Sequence, residues 1–591
     1  MTGANPAPPE RAFLGVETSV LGRRWVGPDP ARARQAEALA QTTALPPPVC
    51  AVLARAGVGP EGASAYLAPA LRDLLPDPRS LRDMERAAAR VLQAVAQNER
   101  IAIFADYDVD GAASAALLIC WLRALGRSAT LYIPDRITEG YGPNVPAMEA
   151  LAQAHDLIIC VDCGTLSHAP IAAAVGAEVI VLDHHLGDET LPPALAVVNP
   201  NRQDESGDLA HLCAAGVVFL LLVEGNRQLR EQGRQGPQLM ALLDLVALAT
   251  VADVAPLIGV NRAFVRQGLR VMAGRARVGL RALADSARRD APPSAYHLGF
   301  VLGPRVNAGG RIGAADLGAR LLACEDMAEA EALAARLEML NTERREIEAA
   351  VRASALAQAE ARGQGGALAW AAGEGWHPGV IGIAAARLKE AAGRPAVVIA
   401  LDGDTGKGSG RSVPGVDLGA AVHRLVREGL LEKGGGHKMA AGLTVARTQL
   451  EAAMARLEAL LAQQGAGAEG PRSLRIDGVL MPGAASVELV GQIEAAGPFG
   501  ASAPAPRFAF PDMVIQSIRR MGEAHLRLRF SDGASTPLEA VAFGAFETAL
   551  GPTLAAAQGL RVHLAGKLEV NHWNGRQNLQ LRLDDAARPM A

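Results

Sequence analysis

A chain of 591 residues is too long for one hydrophobic core, and its length alone implies about three to five domains. Half of its residues are hydrophobic and 20% are charged, an ordinary globular composition. The net charge of −4 excludes a generally basic nucleic-acid coat but not binding in a local groove. Six cysteines are too few for a disulfide framework, and no apolar run is long enough to span a bilayer, so a soluble cytoplasmic protein is expected.

Residues 1–48, rich in Pro, Ala and Arg and ending in Pro46-Pro47-Pro48, read as a loosely ordered lead-in before a short helical stretch. From about residue 97 to 200, strand and helix patterns alternate. Ile101 to Ala105 reads as a strand, Ala112 to Leu125 as a helix, Thr130 to Pro134 as a strand and the region around Pro146 to Ala154 as a helix. Leu157 to Val161 and Val179 to Leu182 read as further strands. That alternation predicts a doubly wound parallel α/β sheet, and residues 210 to 290 continue as helices. Residues 325–363 predict a single connecting helix, with Leu333, Leu337, Leu340, Ile347 and Val351 on one face and no Gly or Pro before Gly363. A second α/β segment, 364–465, carries strands at Ala367 to Ala371 and Ala396 to Ala400. Residues 470–588 alternate apolar and polar side chains, as in His525 to Phe530, and turn at Asn574-Gly575, which predicts a small β-barrel. The expected division is 1–48, 49–324, 325–363, 364–465 and 470–588.

Four motifs carry the chemistry, and the first three directly follow apolar, strand-like runs. They are Asp106-Tyr107-Asp108-Val109-Asp110-Gly111, Val161-Asp162-Cys163-Gly164, Asp183-His184-His185, and Asp253 in Ala252-Asp253-Val254-Ala255. In a parallel sheet, residues just past the strand ends converge in one crevice, so the first three motifs can meet. A crowd of carboxylates with two imidazoles repels itself unless cations neutralise it, and a metal site is therefore expected. Oxygen ligands mixed with imidazole favour Mn²⁺ or Mg²⁺, and two such ions suit phosphodiester hydrolysis, with Asp162 fitted to a bridging position. A calcium-type loop at Asp106 to Gly111 would need a later acidic ligand, where Ser114, Ala115 and Ala116 stand. Cys160 and Cys163 lack a second C-x-x-C and read as buried small residues.

Taken in order, these motifs resemble those of the DHH phosphoesterase superfamily, in its RecJ branch. The similarity runs over nearly the whole chain after residue 50, through Arg136, Glu139 to Gly142, Leu302 to Arg311, Trp376 to Gly382, Gly408 to Ser412 and Gly434 to Gly442. The resemblance implies a catalytic DHH domain, a DHH-associated domain and an OB-fold. It implies a 5′→3′ exonuclease specific for single-stranded DNA, acting in DNA repair and recombination, with a helicase and a single-strand-binding protein as partners of a monomer. It further implies two divalent cations held by Asp106, Asp108, Asp110, Asp162, His184 and Asp253. Asp108, Asp110, Asp162, Asp183, His184, His185 and Asp253 would form the catalytic set, Asp183 supporting the ligands and His185 contacting phosphate.

Other residues suit phosphate or base binding. In Gly434-Gly435-Gly436-His437-Lys438, three residues without side chains let backbone N–H groups approach a phosphate while His437 and Lys438 supply charge; the plainer reading is a flexible loop. Ser409 and Arg411 fall on one side of an extended segment, and Arg305 and Arg311 flank a Gly-Gly turn with Asn307 between them. With Arg136 these groups would grip a terminal 5′-phosphate and set polarity, unless Arg305 or Arg311 instead forms an ion pair at a domain interface. Trp376 and His377 would stack on a base or belong to the core. Arg519, Arg520, Arg527, Arg529, Arg576 and Arg582 would line one barrel face and track a strand, with Trp573 stacking on a base, or form a solvated outer face. An enzyme for short oligonucleotides or cyclic dinucleotides would need only two domains, and a non-catalytic scaffold would not need intact metal motifs.

Overall fold

In the computed structural model, which describes residues 11–288, 292–363, 365–467, 472–573 and 576–589, the chain divides into two units. The larger, Pro76–Ala255 with Gln267–Glu469, holds two sheets. Its first sheet is made of β1 (Ile101–Ala105), β2 (Ala129–Tyr132), β3 (Leu157–Val161), β4 (Glu178–Leu182) and β5 (Ala196–Val198). All neighbours pair in parallel in the order β2-β1-β3-β4-β5. Every residue of β1 and β3 is buried, as strands covered by helices on both faces require. The winding reverses between β1 and β3, which opens a crevice at their carboxyl ends. Helices α1 (Val109–Ala124), α2 (Ala214–Glu231), α3 (Leu243–Ala252) and α4 (Gly303–Ile312) pack beside that edge.

Helix α5 (Met327–Ala361) runs unbroken because no Gly or Pro interrupts it, and the Asp326 side chain caps it by accepting from Glu329 N–H. Beyond it lie β6 (Ala369–Glu374), α6 (Pro378–Ala392), β7 (Ala396–Asp402), β8 (Thr405–Arg411), α7 (Leu418–Arg427), β9 (Lys433–His437) and β10 (Ala440–Ala446). They form a mixed sheet in the order β9-β10-β8-β7-β6. The two-residue period of β7 builds two cores. Val397 and Ile399 pack towards Leu418 and Val422 of α7, while Ala396 and Val398 pack towards Val380 of α6 and Val351 of α5. Gly434 to Gly436, whose plainer reading is a flexible loop, form edge strand β9. A Cβ on Gly434 would press on Val422 of α7, and one on Gly436 on Ala440 and Ala441 of β10.

The smaller unit joins Met1–Leu75, Pro256–Arg266 and Gly470–Ala591. Its barrel is β11 (Phe508–Met521), β12 (His525–Ser531), β13 (Leu538–Ala542), β14 (Arg561–Trp573) and β15 (Arg576–Ala587), in the order β11-β12-β13-β15-β14. Pairing of β11 with β14 closes it. The expected base contact by Trp573, the Asn574-Gly575 turn and the Arg576 side chain lie outside the described residues.

The segment expected to be loosely ordered is folded from residue 11 onward. The strand Arg23–Val26 pairs in parallel with Arg472–Arg475. Trp25 is fully buried, and Asp585 accepts from Ser19 Oγ at 2.7 Å and from Trp25 Nε1 at 3.3 Å. Leu39, Val49, Val52 and Leu53 share one core with Phe508, Phe510 and Phe530, so the early helices belong with the barrel and not with the first sheet. Arg262 ties its own segment into the same unit, donating to Tyr66 O, Ala496 O and Gly497 O with its guanidinium 3.7 Å from the Tyr66 ring centre. No helix among the described residues is long and apolar enough to cross a membrane. Trp25→Ala will remove about 3–5 kcal/mol from this unit. Thermal unfolding followed by near-ultraviolet circular dichroism should show a separate, lowered transition, and an unchanged profile would disprove the shared core.

Candidate metal centre

Asp106, Asp162 and Asp183 each stand one residue past the ends of β1, β3 and β4. Asp106 N–H donates to Val161 O, Asp162 N–H to Leu182 O and Asp183 N–H to Val198 O, which continues the ladder and locks all three at the crevice. Asp162 adopts φ +61°, a left-handed conformation unfavourable for a residue with a Cβ, of the kind kept where function requires it. Asp108 caps α1, accepting from Asp110 N–H at 2.8 Å and Gly111 N–H at 3.2 Å. Gly111 is required there, because a Cβ would fall inside the backbone of Asp106. Asp110 accepts from Ala214 N–H at 2.6 Å and Ala215 N–H at 2.8 Å, at the positive N-terminus of α2. Asp253 closes the C-terminus of α3.

Ligand atoms lie within 4.8 Å of one another in three overlapping groups, Asp106–Asp108–Asp162, Asp110–His184–Asp253 and Asp162–His184–His185. His184 Nε2 joins them, 3.3 Å from Asp162 Oδ1 and 3.7 Å from both Asp110 Oδ2 and Asp253 Oδ2. Asn199 and Asn201 hold the histidine turn by donating to His185 O and His184 O. Asp183 turns away from the cluster and accepts from the N–H groups of Thr165, His184 and His185 and from His185 Nδ1. His185 also lies 3.2 Å from Tyr141 Oη, which donates to Asp162 O.

Burial, and then the charges of neighbouring carboxylates, push Asp106 and Asp162 well above the usual carboxylate range and Asp253 up to about 9. Asp183 behaves oppositely. Burial raises it, but its bonds from His185 and Thr165 outweigh that and hold it low. Burial likewise lowers His185, but the bond to Asp183 and its charge prevail and lift the imidazole to about 9. Asp106 Oδ1 and Asp162 Oδ1 are buried without a hydrogen-bond partner. Orphaned anionic oxygens beside an imidazole fit divalent cations of the Mn²⁺ and Mg²⁺ kind.

Beside the cluster lies a group of guanidiniums. Arg136 sits 5.0 Å from the centre of the Tyr107 ring, and its charge lowers the pKa of Arg311, Arg411 and His377 in addition to burial. Arg311 is pushed down to about 10 and donates to Gly379 O at 3.1 Å. Arg411 donates to Ser409 Oγ at 3.1 Å and Gly410 O at 2.8 Å. The start of α6 closes over them, since a Cβ on Gly382 would come within 3.2 Å of Ser409 Oγ and 3.1 Å of Arg411 Nη2. His377 caps α6, accepting from Gly379 N–H.

Arg305 departs from the expected phosphate grip. It is ion-paired to Glu338 of α5 and donates to Val301 O, and so is neutralised at a helix interface. Asn307 Oδ1 is likewise committed, accepting from Val109 N–H of the metal loop at 3.1 Å. His437 and Lys438 are exposed at the β9–β10 turn, and Trp376 is partly buried against the core of α6 and β7. Tyr107, Tyr141 and Arg344 were missed. The two tyrosines lay inside recognised motifs without an assigned role, and Arg344, buried on α5 and near enough to depress Arg311, had no signal beyond its helical position.

Fold and site together define the class, a DHH phosphoesterase. The family models agree: DHH family, N-terminal domain, matches residues 100–250; DHHA1 domain, 364–463; and RecJ OB domain, 476–585. The chain is 39% identical over 536 residues to the single-stranded-DNA-specific exonuclease RecJ of Dickeya dadantii, covering 87% of this chain and 92% of the relative. The crystal structure of RecJ from Thermus thermophilus in complex with Mn²⁺ superposes with a TM-score of 0.78 at 32% identity, covering 96% of this chain and 80% of that one. The Mg²⁺ complex from the same organism gives 0.71 at 30% identity, covering 96% and 79%. The chain belongs to the RecJ family.

In the metal-free protein, Asp162→Asn will leave the melting temperature unchanged or raise it, because burial and the neighbouring carboxylates already disfavour the charged form of Asp162 and a neutral amide carries no such cost. Mn²⁺ at one hundred times its dissociation constant should stabilise the wild type by about 2.7 kcal/mol. Asp162→Asn should lose most of that shift in differential scanning fluorimetry; a full shift would show that Asp162 is not a ligand.

Proposed function

We propose that this chain is a single-stranded-DNA-specific 5′→3′ exonuclease that hydrolyses phosphodiester bonds in DNA repair and recombination. One observation carries the reading: two adjacent triads of carboxylate and imidazole ligands lie within electrostatic reach of guanidiniums that have no carboxylate partner among the described residues. Asp106, Asp108 and Asp162 would hold one cation, and Asp110, His184 and Asp253 the other. Bound there, Mn²⁺ or Mg²⁺ supplies positive charge against phosphoryl oxygens and lowers the pKa of a water. His185, held by Asp183, donates to a phosphate oxygen. Asp183 fixes its ring and the turn that carries His184. Arg136, Arg311 and Arg411, with Ser409, grip a terminal 5′-phosphate, and that grip sets the direction of degradation. His377, His437 and Lys438 offer further contacts to the strand.

The barrel carries a second cationic surface. Register places Arg519 opposite Arg527, Arg527 opposite Val541, Val541 opposite Arg582 and Arg582 opposite Lys567, so the four cations form one row across the strands. Glu539 offsets Arg527 in part. Like charges directly opposite destabilise a sheet, and a polyanion laid along the row relieves them. Exposed Phe543, with Arg582 over its ring at 5.9 Å, suits stacking on a base. Short oligonucleotides or cyclic dinucleotides would have no use for this row. A helicase that opens duplex DNA and a single-strand-binding protein are the partner classes, and the protein works as a cytoplasmic monomer.

Arg411→Ala will reduce the preference for 5′-phosphorylated over 5′-hydroxyl single strands about tenfold, the worth of one charge-assisted contact. Arg305→Ala will keep the whole preference, because Glu338 already occupies that guanidinium. Steady-state digestion of end-labelled strands distinguishes the two variants, and the opposite ranking would move the phosphate grip to Arg305.

A further inference from the structure

We propose that a cavity in the larger unit, bordered by the π-helical turn Leu298–Leu302, binds a medium-chain aliphatic carboxylate, a ligand unconnected with the metal centre. The cavity has a volume of about 290 Å³ and is lined by residues of that unit alone. Protein interiors are close-packed, so a space of this size, at the lower end of the range for small-ligand pockets, about 300 Å³ and upward, calls for an occupant. Its apolar lining is Met272, Leu280, Ala284, Pro293, Val301 and Leu302, and among the described residues no Phe, Tyr or Trp reaches it. A flat base or aryl ring therefore finds no stacking partner there, whereas an alkyl chain suits an aliphatic wall.

The walls are fixed from outside. Met272 belongs to the helix Gly259–Ala273, which is pressed onto the start of α3: a Cβ on Gly268 would lie 2.2 Å from Leu243 O. Leu280, Arg281 and Ala284 belong to the helix Val278–Ser286, which packs on the helix Leu317–Ala323 so closely that a Cβ on Gly279 would fall on Leu321 O. Val301 and Leu302 come from the π-helical turn, a deformation frequent at functional sites. Elements locked this tightly cannot collapse into the space, and a preformed cavity gives up little entropy when it is filled.

Charge selects the head group. Of the three arginines on the cavity, Arg277 is paired with Asp244 at 2.8 Å and Arg275 with Asp285. Arg281 has no carboxylate partner among the described residues. Asp285, four residues on and so its natural helical partner, is taken by Arg275. Arg281 Nη2 donates only to the thioether of Met327 at 3.0 Å, a weak acceptor, and Arg281 Nε is buried without a hydrogen-bond partner. A guanidinium left in this state lacks an anion. One uncompensated positive charge matches one carboxylate, whose two oxygens accept from the guanidinium fork, better than a doubly charged phosphate monoester.

The test is isothermal titration calorimetry of the full chain with octanoate, octanol and phenyl phosphate. Octanoate should bind the wild type at one saturable site, and octanol, which lacks the charge, about tenfold more weakly, the worth of one charge-assisted contact. Arg281→Gln should weaken octanoate about tenfold and leave octanol unchanged, while Ala284→Phe, which fills the cavity, should weaken both. Should Arg281→Gln lower the melting temperature, Ala284→Phe decides alone. The site is overturned if the wild type takes up no octanoate, or if octanoate binds Ala284→Phe or a stably folded Arg281→Gln as tightly as the wild type. Phenyl phosphate binding more tightly than octanoate would overturn the choice of a carboxylate.

Discussion

Mutual repulsion among buried carboxylates is the constraint on which this structure depends. Asp106, Asp110 and Asp162 are almost fully shielded from water, and Asp108 and Asp253 add their charges at close range. The protein disposes of part of that charge internally. The N-terminus of α2 receives Asp110, and the start of α1 is capped by Asp108. Asp106 and Asp162 receive no such help for one oxygen each, so the remaining stabilisation has to come from cations. The geometry that holds the carboxylates together is steric as well as polar. A Cβ on Gly310 would fall against Tyr107 O and one on Gly111 inside Asp106, so the metal loop is tightly folded on itself and α4 packs directly on its backbone.

The guanidiniums nearby raise the converse question of why they do not collapse onto the carboxylates. Each is held back by a neutral partner. Gly379 O takes Arg311, Ser409 Oγ and Gly410 O take Arg411, and the Tyr107 ring underlies Arg136. A cluster of unneutralised anions therefore faces a cluster of unneutralised cations without direct contact. A phosphate and metal ions complement that polarised arrangement jointly, because each alone would leave one half uncompensated. The close approach of α6 to α4, where a Cβ on Gly379 would strike Arg311 O, keeps the two halves in register.

The metal centre was legible because a parallel sheet converts sequence order into spatial convergence: an acidic residue one step past each apolar strand must arrive at the same edge. What escaped is non-local. Arg305 looked like a phosphate ligand because its partner Glu338 lies 33 residues away on another helix. Gly434 to Gly436 carry the composition of a loop, and only close packing, of Gly434 on α7 and of Gly436 on β10, explains them as a strand. The N-terminal segment has the Pro, Ala and Arg content of a disordered lead-in, yet Trp25 is buried against Asp585, 560 residues away, a pairing no local pattern announces.

The two units therefore present opposite kinds of cationic surface, and the difference bears on how a strand is handled. In the larger unit Arg311 and Arg411 are half-buried and partly desolvated, with pKa values lowered from those of free guanidinium, and such a site rewards one localised, highly charged group such as a terminal phosphate. In the barrel Arg519 and Arg582 are exposed, and a row of exposed cations interacts weakly with any single phosphate but additively with many. On the proposed function, end recognition would fall to the half-buried charge and retention of the following strand to the exposed charge. Salt should weaken the second far more than the first, since screening acts on solvated pairs and barely reaches desolvated ones.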